Sequence, residues 1–137
     1  MSEPRILKYN EIKVVPRGSG VETRPLVMES VGARTFVSGI SSFPVGAALK
    51  LHSHNCEEMV TLLEGEATVE VDGKKTDIGP YDTTYVPAGI FHRFINRGQT
   101  TMRILWVYGS THVTRTFADT GETVVHLSES DKGGVRE

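Results

Sequence analysis

Two histidines one residue apart, with a carboxylate four positions after the second, mark the stretch Gly46-Ala-Ala-Leu-Lys-Leu-His52-Ser-His54-Asn-Cys-Glu57-Glu58. On a β-strand, positions i and i+2 face the same way about 6.6 Å apart. Two imidazoles so placed can lean onto one ion at metal–nitrogen distances of about 2.1 Å. On a helix the same pair would splay by about 200°, so the motif makes chemical sense only on an extended segment. A second cluster, Pro87-Ala-Gly89-Ile-Phe-His92-Arg-Phe-Ile-Asn96, brings a third histidine after a Pro/Gly turn. Three histidines and a carboxylate form a mixed nitrogen and oxygen set suited to iron, manganese, zinc, nickel or copper. Such a set leaves coordination positions open for water or substrate, whereas a structural zinc site is closed and usually thiolate-rich. Only one cysteine, Cys56, is present.

Parity separates the two adjacent glutamates. Neighbours on a strand face opposite ways, so only one of Glu57 and Glu58 can share the histidine face, and the even spacing from His54 selects Glu58. Lys50, two residues before His52, also shares that parity and is a candidate for meeting an anionic substrate. Trp106 alternates with Arg103 on the side of Met102, Ile104 and Tyr108, so it is expected to point inward. Lys50, Tyr85 and Trp106 are the weaker candidates for a catalytic role beside the metal, with Phe43, Phe94 and Arg34 further candidates of the same kind. Asn96 shares a face with His92 and reads as structural support. Cys56 reads as a half-buried inert thiol. His112 reads as a surface-loop residue and His126 as part of a late strand, neither with metal-ligand spacing to its neighbours.

The two clusters resemble the signature motifs of the cupins. The first fits at Gly46, His52, His54, Glu58 and Gly65, and the second at Pro87, Gly89, His92 and Asn96. One departure is that Gly79 lies farther before Pro87 than in the family pattern, which leaves its turn role open to Asp82. The resemblance implies an all-β jelly-roll barrel, a double-stranded β-helix, in which His52, His54, Glu58 and His92 bind one divalent metal ion (iron, manganese, zinc or nickel). It also implies a homodimer, because in small cupins the N-terminal strands often pair with a second subunit.

The elements that must position these residues are legible as short, β-branched segments bounded by turn residues. Strands are expected over residues 12–15, 23–29, 34–41, 49–54, 59–63, 83–86, 91–96 and 102–108. Residues 67–71 alternate cleanly and run into an Asp72-Gly73 hairpin turn. No window has sustained helical periodicity. One domain is expected over residues 1–137, with N-terminal strands at 5–29, a metal-binding barrel at about 34–110, a C-terminal extension at 111–127 and a polar, poorly ordered tail at 128–137.

The chain has 137 residues and a formal net charge of −2. No basic run exceeds Lys74-Lys75, so nucleic-acid binding has no electrostatic support. No apolar stretch approaches the length of a membrane span, and the N-terminus lacks the apolar core of a signal peptide. With a lone cysteine, these features lead to the expectation of a cytoplasmic protein acting on a small molecule. A dioxygenase-type oxidoreductase is the expected activity. A metal-dependent isomerase, lyase, decarboxylase or cyclase is the alternative, and a non-catalytic ligand-binding or sensing module is a third reading.

Overall fold

The structure is a computed structural model that describes residues 3–137. Its strands are β1 (Val15–Gly18), β2 (Val21–Pro25), β3 (Val37–Phe43), β4 (Ala47–Leu49), β5 (His52–His54), β6 (Glu58–Glu64) and β7 (Ala67–Val71). They continue as β8 (Lys74–Ile78), β9 (Thr83–Val86), β10 (His92–Asn96), β11 (Met102–Tyr108), β12 (Thr114–Phe117), β13 (Thr123–Val125) and β14 (Gly134–Arg136). Two single 3-10 turns, Tyr9–Glu11 and Glu29–Val31, are the helical segments among the described residues.

The strands form two antiparallel sheets. One runs β1-β2-β3-β11-β6-β9, and the other runs β13-β12-β5-β10-β4-β14 with the β7–β8 hairpin joined through β7 to β10. The fold is the all-β jelly roll anticipated from the sequence. Alternation on β11 drives Met102, Ile104, Trp106 and Tyr108 into the space between the sheets, where they meet Phe43, Val60, Leu62 and Phe94. Residues with β-branched or aromatic side chains suit such half-buried pleated surfaces.

Three sequence expectations are revised. The strand expected over 49–54 is broken between β4 and β5. Lys50 donates its backbone N–H to Gly133 O, and Leu51 accepts from Ala118 N–H, so the chain leaves the β10 ladder there. The strands expected at 12–15, 23–29 and 34–41 are instead Val15–Gly18, Val21–Pro25 and Val37–Phe43. The tail, expected to be poorly ordered, adds β14 to the edge of β4 and buries Asp131. Its backbone passes so near β1 that a Cβ on Gly134 would stand 2.0 Å from Gly18 O. Only glycine permits that approach.

Candidate metal centre

Two strands carry the three histidines. His52 and His54 are the ends of β5, and His92 opens β10 directly opposite His52 in the antiparallel ladder. All three are at most 4% exposed. Their ring centroids stand 4.6–5.3 Å apart.

Backbone carbonyls fix the rings. His52 Nδ1 donates to Lys50 O at 2.6 Å, His54 Nδ1 to Thr114 O at 3.0 Å and His92 Nδ1 to Ile90 O at 2.8 Å. A carbonyl only accepts, so each Nδ1 holds a ring proton and each ring turns its Nε2 towards the interior. Burial, reinforced by the Arg115 charge, holds His52 well below the usual histidine range, and burial likewise lowers His54. His54 Nε2 is buried with no hydrogen-bond partner.

Glu58, the first residue of β6, projects its carboxylate at these rings. Glu58 Oε1 is 2.8 Å from His92 Nε2 and 3.3 Å from His54 Nε2. Burial alone would raise its pKa, but the contacts with His54 and His92 outweigh burial and bring it to about 2. Imidazole nitrogens and a carboxylate oxygen brought this close form one set of donor atoms that a cation can bridge in place of the hydrogen bond between His92 and Glu58. The spacing agrees: donors about 2.1 Å from one ion and at right angles stand about 3 Å apart. The three histidines are therefore positioned to hold a metal ion, their ligand atoms lying within 4.8 Å of one another.

The remaining sequence candidates separate clearly. Trp106 is 1% exposed and lines the cavity beside the histidines, donating Nε1–H to Ser41 Oγ at 3.0 Å. Phe43 and Phe94 line it as well. Lys50 does not: the bend after β4 breaks the alternation, and its ammonium sits at the surface 3.4 Å from Asp119. Tyr85 is exposed too, donating to Glu57 Oε2 at 2.9 Å, because the inward positions of β9 fall to Thr84 and Val86. Glu57 thus faces away from Glu58. Arg34 is exposed and His112 meets Glu29 at the surface. Cys56 is half-buried, with its thiol pKa raised by burial.

Asn96 braces a turn. Its side-chain amide lies 2.9–3.1 Å from the carbonyls of Phe43, Pro44 and Thr100, and its Oδ1 accepts from Gly98 N. Gly79 N donates to Asp82 Oδ2 at 2.9 Å, so Asp82 shares the turn where the motif departs from the family spacing.

Sequence reasoning overlooked a buried charged cluster against the same cavity. Arg17 Nη2 meets Asp131 Oδ2 at 3.0 Å, and Arg115 Nε lies 2.8 Å from Asp131 Oδ1. All three residues are 1% exposed. A signal was present for Arg115: it alternates with Val113 and Phe117, on an apolar face where a cation is out of place. Tyr108 also lines the cavity, and burial keeps its phenol protonated far above neutral pH. The enclosed space is about 20 Å³, room for a water-sized group.

Comparison with known proteins agrees with this geometry. The family described as the cupin domain matches residues 39–108. An uncharacterized protein of Methanocaldococcus jannaschii is 35% identical over 63 residues, which span 45% of this chain and 50% of that protein. The chain thus covers half the length of this relative. Polyketide synthase CurC of Streptomyces cyaneus is 27% identical over 104 residues, covering 75% of this chain and 68% of that protein. Among solved structures, a cupin-superfamily sugar phosphate isomerase from Silicibacter pomeroyi superposes with a TM-score of 0.74 at 22% identity, over 97% of this chain and 93% of the other. From the matched segment and the fold together, the chain belongs to the cupin domain family.

Proposed function

We propose that the protein is an enzyme acting on a small oxygen-bearing molecule through one divalent metal ion held by His52, His54, Glu58 and His92. The observation that carries this reading is the donor set itself: three Nε2 atoms with their ring protons committed to backbone carbonyls, and an ionised carboxylate 2.8 Å from one of them. A divalent ion bound there would supply Lewis-acid polarisation of a carbonyl or carboxylate.

The chain's own residues do the rest. The carbonyls of Lys50, Thr114 and Ile90 hold the imidazoles in one orientation and tautomer. Phe43, Phe94 and Trp106 keep bulk water from the cavity, which strengthens every electrostatic contact inside it. The Tyr108 phenol retains its proton and is available to donate a hydrogen bond rather than to act as a base.

Non-oxidative chemistry of the isomerase, lyase, decarboxylase or cyclase kind is the reading we favour, supported by the relatives named as a polyketide synthase and a sugar phosphate isomerase. The dioxygenase reading stands second, favoured by a nitrogen and oxygen donor set that suits iron and manganese. Turnover of a panel of β-keto acids, hydroxy acids and sugar phosphates, measured with and without oxygen, separates them. Undiminished anaerobic turnover is expected; turnover that stops without oxygen and otherwise consumes it would replace the first reading with the second.

A further inference from the structure

The buried cluster beside the candidate metal centre leaves one guanidinium incompletely paired. Two guanidiniums, Arg17 and Arg115, share one carboxylate, Asp131. Arg17 is fully engaged: Nε donates to Asp131 O at 3.1 Å, Nη1 to Thr23 Oγ1 at 2.9 Å and Nη2 to Asp131 Oδ2 at 3.0 Å. Arg115 is not. Its Nε stands near Asp131 Oδ1 without a directed hydrogen bond, and its Nη1 is buried with no partner.

A buried polar nitrogen with no acceptor costs about 1–3 kcal/mol, and more when the group is charged. The position of Arg115 makes the omission informative. It pairs with His54 across the β12–β5 ladder, so both side chains enter the same interior, and it lines the cavity with His52, Glu58 and His92. A metal ion in that cavity would add positive charge and engage Glu58, the carboxylate that shares the cavity with Arg115, leaving the guanidinium less compensated. An anion between the two would satisfy both.

We propose that Arg115 is the anion-recognition residue of the metal cavity: its free Nη1 receives a carboxylate or enolate oxygen of a ligand whose other oxygen rests on the metal. The inference rests on the proposed metal ligation, and it narrows the substrate class to small anions with two oxygens at one end.

Formate, the smallest carboxylate, is the probe. Its affinity for the zinc-loaded protein is measured by calorimetry for wild type, Arg115→Gln and Arg115→Lys, with zinc content and far-UV circular dichroism recorded on each sample. Arg115→Gln leaves Asp131 paired with Arg17, so the fold is expected to survive. Loss of a charge-assisted hydrogen bond predicts weaker formate binding by about tenfold or more, with partial recovery in Arg115→Lys. If Arg115 served only to clamp the tail through Asp131, Arg115→Gln would lower the melting temperature and leave formate affinity within about twofold; that result overturns the proposal. Should the protein take up no zinc, the metal reading fails on that measurement alone. The formate comparison is then made on metal-free protein, where the same loss is expected and unchanged affinity again overturns the role of Arg115. Should Arg115→Gln fail to fold, a crystal structure of wild type with formate decides. A formate oxygen in hydrogen-bond range of Arg115 Nη1 supports the assignment, and formate bound away from it overturns it.

Discussion

Three imidazoles whose Nδ1 protons go to the carbonyls of Lys50, Thr114 and Ile90 are prepared ligands: their orientation is set before any ion arrives. In the proposed ligation Glu58 would supply the negative charge that offsets a dication. Glu58→Gln keeps the shape and removes that charge, so divalent-metal affinity is expected to fall by at least about tenfold. Competition against a chelating dye measures it, and unchanged affinity would remove Glu58 from the ligand set. At this scale the pairing of His52 with His54 was legible in the sequence, because parity puts both on one face of β5. Glu58, by contrast, opens β6 in the other sheet, and its even spacing from His54 spans a turn. Parity misled for Lys50, since alternation holds only while a strand stays straight and the ladder breaks at Lys50 and Leu51. It also located Trp106 correctly yet was not applied to Arg115, whose place between Val113 and Phe117 followed the same rule.

At the scale of elements, the pairing of β11 with β3 sets the floor of the cavity. Trp106 lies opposite Gly39, and a Cβ on Gly39 would stand 2.2 Å from Trp106 Cζ2. Gly39→Ala is therefore expected to push the indole away, break its hydrogen bond to Ser41 and cost about 1–3 kcal/mol of stability. Because Trp106 is the single tryptophan of the chain, its fluorescence reports the displacement directly. An unshifted emission spectrum together with an unchanged melting temperature would contradict this packing. Strands such as β9 and β11 were legible to the residue, since alternation and flanking turns are local signals. The C-terminal strand was not. Gly134–Arg136 becomes a strand only because the distant β4 offers an open edge, and no local pattern announces a partner that far along the chain.

At the scale of the whole molecule, Asp131 joins three distant parts of the chain. It holds Arg17 from β1 and Arg115 from β12, and its Oδ2 also accepts the Leu127 N–H at 2.8 Å. The polar tail thereby closes the barrel beside the metal centre. Sequence composition gave no hint of this, because burial of a charged tail residue depends on partners at positions 17 and 115. No described helix is long and apolar enough to cross a membrane. We propose that the protein forms a homodimer, supported by the outer edge of β1, which is paired within its own sheet only to β2. The apolar core extends beyond the cavity through Val21, Val37, Leu62 and Met102, so the barrel is expected to keep its fold without an ion.

The most direct measurement is elemental analysis by inductively coupled plasma mass spectrometry, on tag-free wild type and His92→Ala prepared without chelator. Circular dichroism is recorded on both samples. The account predicts about one divalent metal ion per wild-type chain and almost none in His92→Ala, with the β-sheet spectrum unchanged. Metal-free wild type that stays empty after incubation with iron, manganese, zinc and nickel would contradict it.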